Sequence, residues 1–530
     1  MSATPTSATP SAAATAAAPM DALPAFRDLP ALIAEQARTR PQALALVVGE
    51  RRLSYLDLDR LVDRVAASLQ HDGLAPRAVV AVCASTSIEY LGVFIGALRA
   101  GLAVAPLAPS STAEQLVGMA RDAGARRFFI DADVAAALAA AGQEVPADLP
   151  VTRLDTQDGA QALVAWLRPE GSRPAAVSID PSWPFNLIYS SGTTGTPKGI
   201  VQSHAMRWAH IQRAAMSGYA ADTVTLIATP LYSNTTLVSV IPTLAYGGCV
   251  VLMPKFDAQR YLQIAQAERA THAMLVPVQY QRLMARPDFD SYDLTSFRMK
   301  FCTSAPFHAD LKADVIKRWP GGLVEYYGMT EGGGTCILQA HLHPSKLHTV
   351  GQPAEGHDIR LIDEDGREVA AGEAGEVVGR SAGMMTGYHN QPAKTAEAEW
   401  FDAQGQRFIR TGDIGRFDAE GFLTLFDRRK DMIISGGFNI YPSDMEAVLR
   451  RHPAVADAAV VGVPSAEWGE TPVAFVVRRT GHDDVSAEDI RTWVNGQVGK
   501  TQRLSGLRLV AELPRSAIGK VLKRELRQTW

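Results

Sequence analysis

Cysteine is scarce: Cys83, Cys249, Cys302 and Cys336 are scattered over 530 residues with no CxxC pair. That spacing excludes a disulfide scaffold and a cysteine-held metal cluster, and it suits a reducing compartment. Long apolar runs are missing too. The richest region, Val224 to Met253, is broken by Pro230, Asn234, Pro242 and a glycine pair, so no membrane-spanning helix is expected. There is no basic excess. Lys and Arg number 52 against 56 Asp and Glu, a net charge of −4, which removes the electrostatic footprint of a nucleic-acid binder. The opening Ala/Ser/Thr/Pro stretch has neither a basic start nor a bulky apolar core. It reads as a disordered tail over residues 1–25 rather than a secretory signal, and a cytoplasmic location is expected.

What the chain does have is length for more than one core and a strand–helix grammar. Apolar runs at 78–83, 127–130, 185–189, 224–228, 249–253, 273–276 and 323–327 alternate with helical stretches, the pattern of parallel sheets covered by helices. The proline-rich segment 168–184 reads as a surface connection. Past Thr424 the pattern changes to a helix from about Ser443, apolar runs at 455–463 and 472–477, a helix near 486–498 and a basic helix near 521–527. The expectation is an α/β fold. Residues 26–429 form a large N-terminal body of stacked mixed or parallel sheets with flanking helices, and 430–530 a small, mobile α+β C-terminal lid.

The most informative stretch is Tyr189-Ser190-Ser191-Gly192-Thr193-Thr194-Gly195-Thr196-Pro197-Lys198-Gly199. Its glycines let the backbone turn sharply and aim N–H groups at an anion; the hydroxyls add donors and Lys198 a point charge suited to phosphate. It is not a Walker A loop, since Pro197 precedes Lys198 and Gly199 follows it. Two decoys fall away. Gly379-Arg380-Ser381-Ala382-Gly383 has the spacing of a nucleophile elbow, but the turn-rich stretch 384–392 after it is not a helix. Asn234-Thr235-Thr236 is a glycosylation sequon without meaning in a chain expected to stay inside the cell.

Further motifs follow in order: Tyr326-Tyr327-Gly328-Met329-Thr330-Glu331, Arg410-Thr411-Gly412-Asp413, Asp427-Arg428-Arg429-Lys430-Asp431, Gly436-Gly437-Phe438-Asn439-Ile440-Tyr441-Pro442 and Pro514-Arg515-Ser516-Ala517-Ile518-Gly519-Lys520. With the glycine-rich loop they resemble the adenylate-forming superfamily of acyl-CoA synthetases, peptide-synthetase adenylation domains and luciferases. The resemblance spans about residues 29–524 and is strongest to carboxylate–CoA ligases. It implies that an acid is joined to the α-phosphate of ATP, expelling pyrophosphate, and that the thiol of coenzyme A then displaces AMP, with Mg²⁺ required.

The same resemblance implies roles residue by residue. Ser190, Ser191, Gly192, Thr193, Thr194, Gly195 and Lys198 would handle the ATP phosphates. Ser304, Ala305 and Pro306 would line the purine together with Tyr326, Tyr327 and Gly328. Asp413 would accept the ribose hydroxyls, and Arg428 would contact ribose or phosphate. Thr330 would touch the α-phosphate, Glu331 would hold Mg²⁺ with the phosphates, and Lys520 would be the catalytic lysine brought by the lid. Lys430 matches the hinge, and Gly436, Gly437 and Phe438 the passage for the pantetheine arm of coenzyme A. The acyl pocket would draw on His204, Tyr232, Ser233, Asn234, Gly332 and Gly333. Ser233 stands where relatives commonly carry His, and no Asp is at hand for an α-amino group, which argues against an amino-acid substrate. The expected partners are a small carboxylic acid, ATP and coenzyme A. The alternative acceptor is a carrier-protein phosphopantetheine, disfavoured because no carrier segment follows Trp530; the oligomeric state, monomer or homodimer, stays open.

Overall fold

The structure is a computed structural model that describes residues 25–156, 158–190, 198–428, 431–435, 438–466, 468–499, 502–516 and 519–530. Strands Val79–Cys83, Ala125–Ile130, Pro184–Ser190, Val224–Ile227, Cys249–Leu252, His272–Leu275 and Gly322–Tyr327 coincide with the apolar runs of the sequence. Residues on both faces of most of these strands are buried, as strands sandwiched between helices must be.

Among the described residues, one seven-stranded sheet carries Lys198–Ser203 and Pro184–Ser190 beside parallel Ala103–Pro106 and Val79–Cys83. A nine-stranded sheet has at its centre the parallel series Cys249–Leu252, Val224–Ile227, His272–Leu275, Met299–Cys302 and Gly322–Tyr327. Helices Tyr55–His71, Ile88–Arg99 and Asn234–Ala245 share one apolar cluster with the facing sides of both sheets, and separate clusters cover each outer side. The layering is α/β/α/β/α. Polar residues set the helix starts. Ser54 accepts from the Asp57 amide while the Asp57 carboxylate accepts from the Ser54 amide, a reciprocal cap of about 1 kcal/mol.

A third sheet, Asp358–Ile362, Gly375–Arg380, Glu399–Phe401, Arg407–Phe417 and Leu423–Arg428, is antiparallel throughout. Its charged residues are neutralised by ion pairs, Arg360 with Asp358 on the same strand and Glu368 nearby and Arg410 with Glu376 across strands, so it carries no continuous apolar run for the sequence to reveal. The small C-terminal unit is α+β. Strands Val455–Ser465, Gly469–Arg478 and Gly506–Val510 back onto helices Pro442–Arg450 and Ala487–Asn495 through a core of Met445, Leu449, Val460, Val476, Ile490 and Val494. The whole chain is thus mixed α/β, with a large N-terminal part and a small C-terminal one.

Candidate active site

The glycine-rich stretch is mounted on a hairpin. Strands Pro184–Ser190 and Lys198–Ser203 run antiparallel with Ser190 opposite Lys198 and Asn186 opposite Gln202. Residues 191–197, including Ser191, Gly192, Thr193, Thr194 and Gly195, lie outside the described residues, so the strand ends show only where that loop starts and stops. Within the hairpin, Asn186 and Gln202 are fully buried, the Asn186 amide donates to Gln202 Oε1 at 3.0 Å, and the Gln202 amide donates to the Thr330 carbonyl at 2.7 Å. The hairpin is thereby fastened to the Thr330–Glu331 segment from a distant part of the chain.

Lys198 and Glu331 meet through a residue that motif reading passed over. The Lys198 ammonium lies 4.9 Å above the Tyr388 ring, and the Tyr388 hydroxyl donates to Glu331 Oε1 at 2.8 Å. Burial and the neighbouring Glu331 carboxylate push the Tyr388 phenol well up, so it stays a proton donor. A cavity of about 400 Å³ opens beside Lys198, lined also by Lys394, Arg410, Thr411 and Gly412. Glu331 is a single carboxylate. Among the described residues no group of three or more His, Cys, Asp or Glu is placed to hold a metal ion. That donor set fits Mg²⁺, which keeps several waters and takes one or two carboxylates plus phosphate oxygens rather than a protein cage.

The end of strand Gly322–Tyr327 brings in the third-sheet residues. Tyr327 donates its hydroxyl to Asp413 Oδ2 at 2.8 Å, and burial followed by the Asp413 charge holds that phenol far up. Asp413 sits at a bulge within strand Arg407–Phe417 in which Gly412 has φ +72°, a left-handed conformation that favours glycine, and Thr411 Oγ1 accepts the Asp413 amide at 3.0 Å. Arg428 pairs with Asp413 in strand register. Ser304 follows strand Met299–Cys302 with φ +82°, and its hydroxyl lies 2.5 Å from Thr235 Oγ1. A non-glycine residue held there costs about 1–3 kcal/mol, a cost that clusters at ligand sites. Ala305 is half-buried, Pro306 and Gly328 are exposed, and Tyr326 turns its hydroxyl towards Ser217 at 3.3 Å. These residues share the carboxyl edge of the parallel strands, where open α/β sheets bind ligands.

Lys520 arrives at that same edge from the C-terminal unit. Its loop is closed by the Ser516 amide donating to the Lys520 carbonyl at 2.8 Å and by Arg515, which donates to the Gly519 carbonyl at 2.6 Å and pairs with Asp457 at 2.5 Å. Gly519 has φ +78°, and a Cβ there would lie 3.0 Å from Val278, just past strand His272–Leu275. The Lys520 loop therefore packs against the body at Val276 and Val278, with Lys520 itself exposed. Lys430, Gly436 and Gly437 lie outside the described residues. Phe438 opens the short strand Phe438–Ile440.

The acyl-pocket expectations need correction at several positions. His204 is 3% exposed, packed edge-on to Phe185 at 5.1 Å, and held down to about 4 by burial; it is a core residue. Ser233 caps helix Asn234–Ala245, its hydroxyl accepting from the Thr235 amide. The room expected at Gly332 and Gly333 is taken by neighbouring backbone. A Cβ at Gly332 would fall 1.8 Å from the Gly383 carbonyl oxygen, and one at Gly333 would lie 3.1 Å from that of Gly379. Tyr232 is half-buried with a hydrogen bond to Ser110, and Asn234 Oδ1 lies 3.5 Å from Gln202.

The family model of AMP-binding enzymes matches residues 33–389, and that of the AMP-binding enzyme C-terminal domain matches 444–520. The chain belongs to the AMP-binding enzyme family. It is 33% identical to an indoleacetate–CoA ligase of Aromatoleum aromaticum over 516 residues, 94% of this chain and 98% of that one. It is 32% identical to a feruloyl-CoA synthase of an Amycolatopsis species, covering 93% and 97%. The ATP-bound structure of MatB from Rhodopseudomonas palustris superposes with a TM-score of 0.84 at 29% identity, covering 95% of this chain and 99% of that one.

Proposed function

We propose that this family member is an ATP- and Mg²⁺-dependent carboxylic acid–CoA ligase. The observation that supports the reading is the linkage of Lys198 to Glu331 through Tyr388 and of Asp413 to Tyr327, with the Lys520 loop against Val276 and Val278 after a neighbouring strand. In the first half-reaction a carboxylate oxygen bonds to the α-phosphorus and the bond to the pyrophosphate oxygen breaks. Two anions approach each other in that step, so cations aimed at the reacting phosphoryl group lower the barrier more than any other contribution. Lys520 is the side chain for this, because its loop docks against Val276 and Val278 at the open end of the cleft. Asp413, steadied by Tyr327, is suited to accept two ribose hydroxyls. Glu331, oriented by Tyr388, would hold Mg²⁺, which when bound would neutralise phosphate charge. In the second half-reaction the coenzyme A sulfur bonds to the acyl carbon and AMP leaves. Swinging the lid on Lys430 withdraws Lys520 and turns Gly436–Phe438 inward, so one cleft serves both steps in turn.

A screen of carboxylic acids for pyrophosphate release, with and without coenzyme A, tests the reading. Acid-dependent pyrophosphate release with AMP turnover that requires coenzyme A is the expected result. Turnover only with a phosphopantetheinylated carrier protein would favour the carrier-loading alternative, and no pyrophosphate from any acid would refute both.

A further inference from the structure

Behind the Glu331 loop lie two arginines and two neutral histidines that, among the described residues, have no matching acid. Arg207, His210 and Arg213 descend one face of helix His204–Ala214, and His357 meets them from the loop before strand Asp358–Ile362. Arg207 is 1% exposed, and its guanidinium is satisfied by uncharged amide oxygens of Asn186 and Gln202. His210 Nδ1 is 3.5 Å from Arg207, and Arg213 Nη1 is 3.2 Å from His357 Nε2. Among the described residues, no carboxylate pairs with any of the four. Burial followed by the Arg213 and Arg207 charges holds His210 well below its usual value, and burial followed by Arg213 brings His357 down to about 4.

The contact between Arg213 and His357 is frustrated in its chemistry. The Thr335 amide donates to His357 Nδ1 at 2.9 Å, so that nitrogen carries the lone pair and the ring proton resides on Nε2. The Nε2–H group and an Arg213 N–H group then face each other at 3.2 Å, two donors without an acceptor. A buried or half-buried donor left unmade costs about 1–3 kcal/mol. Both side chains keep some accessible surface, so an oxygen ligand can reach them. The segment that fixes His357 through Thr335 also supplies Glu331 four residues earlier, and Gly332 in it packs within reach of Met206 on the same helix. The unpaired donors therefore stand on the helix and loop that back the Glu331 segment.

We propose that Arg213 and His357 form an anion subsite for the acid substrate, so that the preferred acid carries a second carboxylate: one is adenylated while the other bridges Arg213 and His357 Nε2–H, with the Arg207 guanidinium on the same helix face adding positive charge. The proposal rests on the ligase reading for its placement in the acyl pocket, but not for the existence of the anion site.

The test compares matched pairs, succinate with butanoate, glutarate with pentanoate, adipate with hexanoate and phthalate with benzoate, in wild type, Arg213→Met and Arg213→Lys. In wild type at least one dicarboxylate should exceed its monocarboxylate partner in kcat/KM by roughly tenfold or more, the worth of a charge-assisted hydrogen bond. Arg213→Met should collapse that ratio and Arg213→Lys restore part of it, a pattern that general structural damage does not produce. Calorimetric binding of the same acids without ATP gives an independent readout. Binding of a dicarboxylate that Arg213→Met abolishes would support the subsite even if no acid released pyrophosphate, an outcome that would defeat the ligase reading alone. Monocarboxylates preferred throughout, or a ratio unchanged by Arg213→Met, would overturn the proposal and leave solvent water as the bridging acceptor.

Discussion

Tyr326 and Tyr327 are neighbours on one strand and point to opposite faces, and the two faces are electrostatically unlike. On the Tyr327 side the acids named above meet donors: Tyr327 donates to Asp413, Arg410 pairs with Glu376, Tyr388 donates to Glu331. On the Tyr326 side, among the described residues, Arg207, His210, Arg213 and His357 bond to amide groups and to each other, with no carboxylate. The balanced face suits a ligand that brings its own counter-ion, as a metal–nucleotide does. The unbalanced face suits a ligand that brings negative charge alone. The contrast teaches that pre-organisation in this molecule takes two forms, completed networks where geometry must hold and withheld partners where the ligand supplies the missing charge.

The largest effect should come from the one cation of the balanced face that the lid delivers. Lys520→Ala is expected to lower acid-dependent pyrophosphate release by roughly 10²–10³-fold, the scale for removing one transition-state donor. Thioester formation from a supplied acyl-adenylate should be largely spared. Single-turnover assays of the two half-reactions check this; equal loss in both would mean that Lys520 acts on the acyl group or on folding rather than on phosphorus. Next comes Tyr388→Phe, which keeps the ring under Lys198 but removes the donor to Glu331. Loss of one hydrogen bond to a charged group predicts roughly a tenfold drop in adenylation. It should appear mainly as a higher Mg²⁺ requirement in a metal titration. An unchanged Mg²⁺ dependence would break the link between Tyr388 and the metal-holding carboxylate.

The parts legible in the sequence were those written as local pattern. The buried parallel strands show as Val/Ile/Leu runs, and Gly192 to Lys198, Glu331, Asp413 and Lys520 each sit in a contiguous motif. What stayed hidden depends on distance along the chain. Arg213 and His357 are 144 positions apart, Gln202 and Thr330 are 128, and no local spacing joins either pair. Tyr388 was obscured because its neighbours read as turns, and the third sheet because its strands are neutralised by ion pairs instead of apolar alternation. At Gly332–Gly334 the composition was visible but its meaning was not: the glycines admit the backbone of 379–383 and leave no open space. His204 misled for the opposite reason, since an imidazole at the start of an amphipathic helix carries no mark of whether it faces a ligand or Phe185.

That last residue gives the smallest effect and separates packed histidines from those at the cationic face. Burial holds His204 down to about 4 in the folded protein, while its unfolded value is near 6.5. Between those values the unfolded chain binds the proton and the folded one does not, so stability must fall as pH drops through about 6.5 towards 4. Above that window the residue contributes no pH dependence. The slope is at most about 1.4 kcal/mol per pH unit for one such group. His204→Phe keeps an aromatic edge against Phe185 and removes the titration. Urea midpoints measured at several pH values in this window should therefore flatten in the variant relative to wild type, and coincide in slope above pH 7. Addition of a dicarboxylate should leave the His204 contribution untouched, because its ring meets only the apolar core. The same addition should reduce the acid loss that comes from His357, whose charged form a bound carboxylate would favour. A dicarboxylate that altered the wild-type slope and the His204→Phe slope by equal amounts would place its whole effect at the cationic face.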